Sequence, residues 1–304
     1  MRTKIAAPSN FLFYGAGFHP GGSVVFASNN SGVGIGWNGI AVPTVYSLVG
    51  LNALGVPQWS KLISPSLTLS LYRPIRPLVD ATGRTYISDW IGRSDGQWTY
   101  DGVVQGSIPL TSKGAFLLAV DESGNKRWAK SLWSAHTDAI SETRPFASAL
   151  DQNGDLVIAA WADIDAGTGP YGTSDELAFV RFDGAGNPTL IGKIPAAQVK
   201  ERSGMIIDSG GTIYFTGTYQ GTYALDGAQF SCSVGRCGFA VSLSSSGALL
   251  SKVALEGCSA GAPSTRFSPP ALHAGGIVFT GVSRGCTLGG TSLPTGMLVA
   301  HFDP

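Results

Sequence analysis

Residues 208–215 read Asp208-Ser-Gly-Gly-Thr-Ile-Tyr-Phe, a turn that runs directly into a β-rich strand. The residue types explain themselves. An aspartate opens the turn, Gly211 takes the left-handed position, and β-branched and aromatic residues continue in extended chain. Four variants recur: His19-Pro-Gly-Gly-Ser-Val-Val-Phe, Asp80-Ala-Thr-Gly-Arg-Thr-Tyr-Ile, Asp151-Gln-Asn-Gly-Asp-Leu-Val-Ile and His273-Ala-Gly-Gly-Ile-Val-Phe. Their marker glycines, Gly22, Gly83, Gly154, Gly211 and Gly275, lie 57 to 71 residues apart.

A second signature repeats at the same pace. Phe116–Leu132 reads as a hairpin around Gly124, and the outline returns at Ser47–Ile63, Ala178–Ile194 and Phe239–Leu255. The turn glycines Gly55, Gly124, Gly186 and Gly247 are spaced 69, 62 and 61 residues. Trp59 and Trp128 follow their glycines by four residues and are expected to pack between repeats. Between the second and third strands sits a small extra motif, Trp37-Asn-Gly, Tyr100-Asp-Gly, Leu225-Asp-Gly or Leu288-Gly-Gly; the third repeat keeps only Tyr171-Gly.

Four antiparallel strands about every 60 residues describe a propeller blade with an enlarged loop, longer than the ~40–45 residues of a WD blade. The expectation is an all-β, five-bladed β-propeller in a single domain over 1–304. Its blades fall at about 10–64, 73–134, 143–196, 202–256 and 265–304. The fifth unit, Gly296-Met-Leu-Val-Ala-His-Phe-Asp-Pro, reaches Pro304 inside its hairpin turn, without a fourth strand. Thr3-Lys-Ile-Ala matches Ala129-Lys-Ser-Leu and Ser251-Lys-Val-Ala, so residues 2–7 are expected to supply that strand. Such pairing closes the ring and removes an open sheet edge.

Composition narrows the function classes. Twenty Lys+Arg balance twenty Asp+Glu, so no global field favours nucleic acid or an anionic membrane. No apolar run approaches the ~18–20 residues of a membrane span. Met1–Ser9 holds too short an apolar stretch for a signal peptide. With 42 glycines and 13 % charged residues, the chain suits short strands joined by tight turns. The four cysteines, Cys232, Cys237, Cys258 and Cys286, fit disulfides formed in an oxidising compartment. Cys232 and Cys237 flank a loop tip, whereas Cys258 and Cys286 emerge on one face of adjacent blades and suit a bridge. A tetrathiolate zinc site is the alternative, but neither C-x-x-C spacing is present.

The succession of Asp-x-x-Gly, strand, Thr-Gly, Gly-rich hairpin and second Asp-x-x-Gly resembles the bacterial β-propeller-repeat (SBBP-type) proteins. Asp208–Gly217 and Asp121–Trp128 carry the likeness most clearly, and it departs where His19 replaces the aspartate. The resemblance implies a bacterial surface or secreted protein and supports the fold more than any activity.

The long connections between blades, and between second and third strands, mark one face as the functional surface. Arg73 (or Arg76), Arg144, Arg202 and Arg266 recur near the starts of inner strands, where they suit a carboxylate, sulfate or phosphate; tying a loop or pairing with a nearby Asp is the competing reading. Trp90 and Trp161 sit seven residues after Gly83 and Gly154, and Trp98 and Tyr100 follow in the second unit's long loop. Exposed aromatic rings of this kind suit sugars; core packing beneath an oversized loop is the competing reading. Asp163 and Asp165, in a Gly-rich loop, offer the weak outline of a calcium site, and no other cofactor is expected. The inner strands carry no central Asp or Glu, and no nucleophile–His–acid set assembles around His19, His136, His273 or His301. The expected function is therefore a non-enzymatic recognition module, secreted or on a cell surface, binding a glycan or other extracellular ligand. A virion or surface-assembly subunit is the second reading, and a glycoside hydrolase or lyase the third.

Overall fold

The protein was analysed as a computed structural model, which describes residues 11–19, 21–30, 35–37, 40–42, 45–65, 77–91, 97–107, 113–134, 147–258, 267–273, 276–283 and 285–302. The strands keep the repeat. The first unit holds β1 (Phe11–Phe18), β2 (Val24–Asn30), the short β3 (Ile35–Trp37) and β4 (Ile40–Val42), β5 (Val45–Leu51) and β6 (Pro57–Pro65). The second has β7 (Leu78–Val79), β8 (Thr85–Ile91), β9 (Gln97–Tyr100), β10 (Val103–Ser107), β11 (Lys113–Val120) and β12 (Lys126–Ser134). Next come β13 (Ala147–Leu150), β14 (Leu156–Trp161), β15 (Ile164–Asp165), β16 (Glu176–Phe182) and β17 (Pro188–Pro195). The fourth unit is β18 (Val199–Ile207), β19 (Ile213–Leu225), β20 (Ala228–Leu243) and β21 (Leu249–Glu256). The last comprises β22 (Ala271–His273), β23 (Gly276–Ser283), β24 (Thr287–Leu288), β25 (Thr291–Ser292) and β26 (Gly296–Phe302). Among the described residues there is no helix, every pairing is antiparallel, and no sheet closes on itself. The expected closing strand at 2–7 lies outside the described residues.

Both sequence signatures prove to be one turn. In Asp208–Thr212 the backbone N–H of Asp208 donates to Thr212 O (3.1 Å) and that of Gly211 to Asp208 O (3.0 Å). The carboxylate Oδ1 of Asp208 accepts from the N–H groups of Gly210 (2.9 Å) and Thr212 (2.8 Å). Asp80, Asp121, Asp151 and Asp183 repeat this pattern. Asn52 does the same through its side-chain oxygen, Ser244 caps Ala248 N–H, and His19 uses Nδ1 to accept from Gly21 N–H. A short acceptor one residue ahead of the bend satisfies donors that the turn leaves open.

These turns join β1 to β2 and β5 to β6 in the first sheet, and corresponding strand pairs in the next three. Antiparallel pairing therefore gathers both tight turns of a sheet at one end. The longer connections leave from the other end.

Two compact units form, one of residues 1–144 with 164–169, the other of 145–163 with 170–304. In the first unit Leu48, Ile63, Ile87, Trp98, Phe116 and Leu118 share a core; in the second Phe179, Phe215, Tyr219, Phe239, Leu255 and Phe279 do. Successive first strands lie side by side inside each unit. A methyl group added at Gly17 would stand 2.6 Å from Pro77 O, and one at Gly204 2.5 Å from Pro269 Cβ. Glycine is needed there because the backbone of the next repeat occupies the space of a side chain.

The small extra motif has a defined place. The β9–β10 hairpin adds to the outer edge of the first sheet, with Ile63 opposite Tyr100 and Pro65 opposite Trp98. In the same way β15 pairs the end of β12, and β24 the end of β21. Asp101 and Gly102 hold φ of 51° and 79°, and Asp226 and Gly227 hold 46° and 75°, the mirror-image turn that Asp-Gly favours. The insertions at β9–β10, β15 and β24–β25 thus cover outer strand ends that would otherwise stand open.

Candidate functional site

The loop ends of the sheets were the expected site, and the structure redistributes the residues nominated there. Trp98 and Tyr100 belong to the core. Trp98 is fully buried, donates Nε1–H to Ser131 Oγ (3.0 Å) and stacks tilted on Phe116 at 4.7 Å between centroids. The Tyr100 hydroxyl donates to Gly124 O (2.6 Å). Their hairpin folds down along the preceding sheet because pairing satisfies a free strand edge and buries both rings, which a standing loop would leave in water. Neither side chain offers a face to a ligand.

Trp90 lies next to the end of β8 and Trp161 ends β14, equivalent places in their repeats. Trp90 is described in its backbone, opposite Ala115. Trp161 lies opposite Leu177 and rests half-buried against the core of its unit. Arg73, Arg144 and Arg266 lie outside the described residues, and Arg202 is described in its backbone alone, opposite Gly217 in an irregular stretch of β18. Two arginines not singled out in the sequence have plain structural duties. Arg84 Nε meets Asp80 Oδ2 at 2.7 Å and Arg181 Nε meets Asp151 Oδ2 at 3.0 Å, tying turn carboxylates to their strands.

In the Gly-rich loop, Asp165 Oδ1 accepts from Gly167 N–H (2.6 Å) and Gly169 N–H (2.9 Å), while Asp163 is nearly buried. Among the described residues no three ligating side chains gather as a metal site. Both expected disulfides are present: Cys232–Cys237 closes the bent arm of β20, and Cys258–Cys286 links the end of β21 to the segment after β23.

Carboxylates and hydroxyls follow their contacts. The Lys193 ammonium, 2.9 Å from Glu176 Oε2, holds the Glu176 carboxyl below its usual range, helped by Thr173 N–H. Burial pushes the Tyr100, Tyr219 and Tyr223 hydroxyls up, so each remains a donor, Tyr219 to Leu255 O (2.8 Å) and Tyr223 to Pro195 O (3.0 Å).

A cavity of about 170 Å³ opens at the tight-turn end of the first unit, lined by His19, Asn52, Gln58, Trp59, Gly83 and Glu122 among others. His19 Nδ1 accepts from Gly21 N–H (3.2 Å), and its Nε2 lies 3.1 Å from Glu122 Oε1. Trp59 Nε1–H donates to Glu122 O (2.6 Å), so the indole spans two sheets as its position in the hairpin implied. With Nδ1 turned to its own turn and Nε2 to a neighbouring carboxylate, the cavity reads as a polar joint between turns. Sequence alone gave no sign of it, because its walls come from four turns far apart in the chain.

No family model matches the chain, and no curated protein sequence matches it. Among solved structures, a Dyadobacter fermentans protein of unknown function aligns over 97 % of this chain and 80 % of its own, at 10 % identity and TM-score 0.45. A Bacillus licheniformis GH43 endo-arabinanase aligns over 97 % and 95 %, at 12 % identity and TM-score 0.33. Regucalcin from Agrobacterium tumefaciens aligns over 94 % and 90 %, at 11 % identity and TM-score 0.28. These likenesses are slight, and the all-β antiparallel fold rests on the strand pairing itself.

Proposed function

We propose that the chain is a five-bladed β-propeller closed by residues 2–7 beside β26, and that it serves as a non-enzymatic recognition module outside the cell. Side-by-side first strands within each unit support the blade reading, as does the likeness of Thr3-Lys-Ile-Ala to the outer strands. The ligand is a glycan or another extracellular molecule carrying an anionic group, held at the loop ends by Arg144, Arg202 and Arg266 with Trp90 and Trp161.

One observation carries the reading. Each of the first four sheets has two unlike ends, one of near-identical turns whose opening side chain (Asp in five of eight) is spent on backbone N–H groups, the other of varied loops, some braced by disulfides. Structural duty of this kind leaves Asp80, Asp151 and Asp208 unsuited to acid–base work. Two disulfides suit an oxidising compartment, and the Asp-x-x-Gly resemblance suits a surface or secreted bacterial protein. A virion or surface-assembly subunit is the second reading, in which the same loop ends or the outer strands meet other proteins.

Purified protein is to be applied to a broad glycan array that includes bacterial surface polysaccharides, with calcium and with chelator. The expected result is a specific signal lost in a folded Arg144→Ala/Trp161→Ala double variant. A blank from folded wild-type protein overturns the glycan reading and directs the search to protein partners.

A further inference from the structure

The two disulfides touch. Cys237 Sγ lies 3.6 Å from Cys258 Sγ, so the four sulfurs follow one another without a break in the order Cys232–Cys237···Cys258–Cys286. All four side chains are buried. Strand pairing sets the inner contact, because β20 and β21 pair up to Phe239 opposite Ala254, and Cys237 and Cys258 lie just beyond that point on each strand.

We propose that this series of sulfurs is a thiol–disulfide relay, in which a dithiol reductant opens the loop bridge and shifts the pairing to Cys237–Cys258. A thiolate of the reductant attacks Cys232 Sγ; the Cys232–Cys237 bond breaks and its electron pair leaves on Cys237 Sγ. That thiolate, already beside Cys258 Sγ, attacks it, the Cys258–Cys286 bond breaks, and Cys286 leaves as thiolate and takes a proton from water. The reductant's second thiol then displaces Cys232, which is protonated, and the reductant leaves as its own disulfide. Two electrons and two protons have moved from the dithiol, and the protein keeps one disulfide and two thiols.

The loop bridge is the entry. It closes the shorter loop, with a sequence separation of 5 against 28, and Ser233 and Gly235 at its tip are exposed. The exchange also relocates the clamp. Before it, a bond joins the end of β21 to the fifth repeat; afterwards the bond joins β20 to the end of β21 in one sheet. The loop after β23 is then held to β21 by strand pairing at Leu255–Leu288 and Glu256–Thr287.

The test is disulfide mapping of the oxidised full chain during titration with dithiothreitol, with acid quench, alkylation and non-reducing digestion before mass spectrometry. The expected main one-disulfide species carries a Cys237–Cys258 link with Cys232 and Cys286 alkylated. Retention of Cys258–Cys286 with Cys232 and Cys237 alkylated overturns the relay, as does loss of both bonds with no one-disulfide species. Cys232→Ser gives an independent reading under air oxidation: Cys237–Cys258 with Cys286 free supports the relay, and Cys258–Cys286 with Cys237 free overturns it. The wild-type titration decides alone if that variant does not fold.

Discussion

A methyl group at Gly204 would stand 2.5 Å from Pro269 Cβ and 2.7 Å from its Cα, whereas one at Gly102 would meet nothing within 4 Å. Gly102 has the opposite difficulty, a φ of 79° that side-chain-bearing residues rarely adopt. Gly204→Ala is expected to cost about 3 kcal/mol through overpacking against the next repeat. Gly102→Ala should cost about 1 kcal/mol through backbone strain alone. Urea midpoints measure both, and Pro269→Gly should restore part of the first loss but none of the second; equal losses without rescue would refute the close approach. Much at this scale was legible beforehand. Asp-x-x-Gly announces its turn because its partners lie two to four residues away. Asn52 and Ser244 escaped notice, since an amide or hydroxyl fills the same role as the carboxylate without the same letter.

Among the elements, the inserted hairpins were the hardest to read. Tyr100-Asp-Gly and Leu225-Asp-Gly stood out only as a small extra motif, and nothing local says that β9 lies beside β6. That pairing joins segments about 35 residues apart and is decided by an open strand edge and two rings seeking burial. Trp98→Ala should therefore behave as a core truncation and cost about 3–5 kcal/mol. Val103→Lys, on the same hairpin at a 60 % exposed position, should change stability by less than about 0.5 kcal/mol. Chemical denaturation at constant m-value checks the pair, and a small effect at Trp98 would return that residue to the list of ligand-facing aromatics.

For the molecule as a whole, the cysteines gather in the unit of residues 145–163 and 170–304, while six of the seven tryptophans lie before residue 145. In the chain-entropy account the shorter bridge is worth about 2 kcal/mol and the longer about 3.5 kcal/mol. Full reduction with excess dithiol is thus expected to speed hydrogen exchange over 213–258 and 276–302 and to leave 45–65 and 113–134 as they were. A uniform increase would show that the bridges stabilise the entire chain. The antiparallel β-rich repeats could be read from the sequence because their turns recur at a regular spacing, and the cysteine pairing because each partner lies at a loop or strand end near the other. Arginines and tryptophans do not space themselves by that rule, and only packing distinguishes Trp98 from Trp161. The hairpins that cover outer strand ends also impose an order in time. On the ribosome, Ile63–Pro65 must wait for residues 98–100 to emerge, about 2–7 s at ordinary elongation rates. The first, second and fourth sheets are finished by their successors, so during synthesis each carries one strand end still waiting for its neighbour.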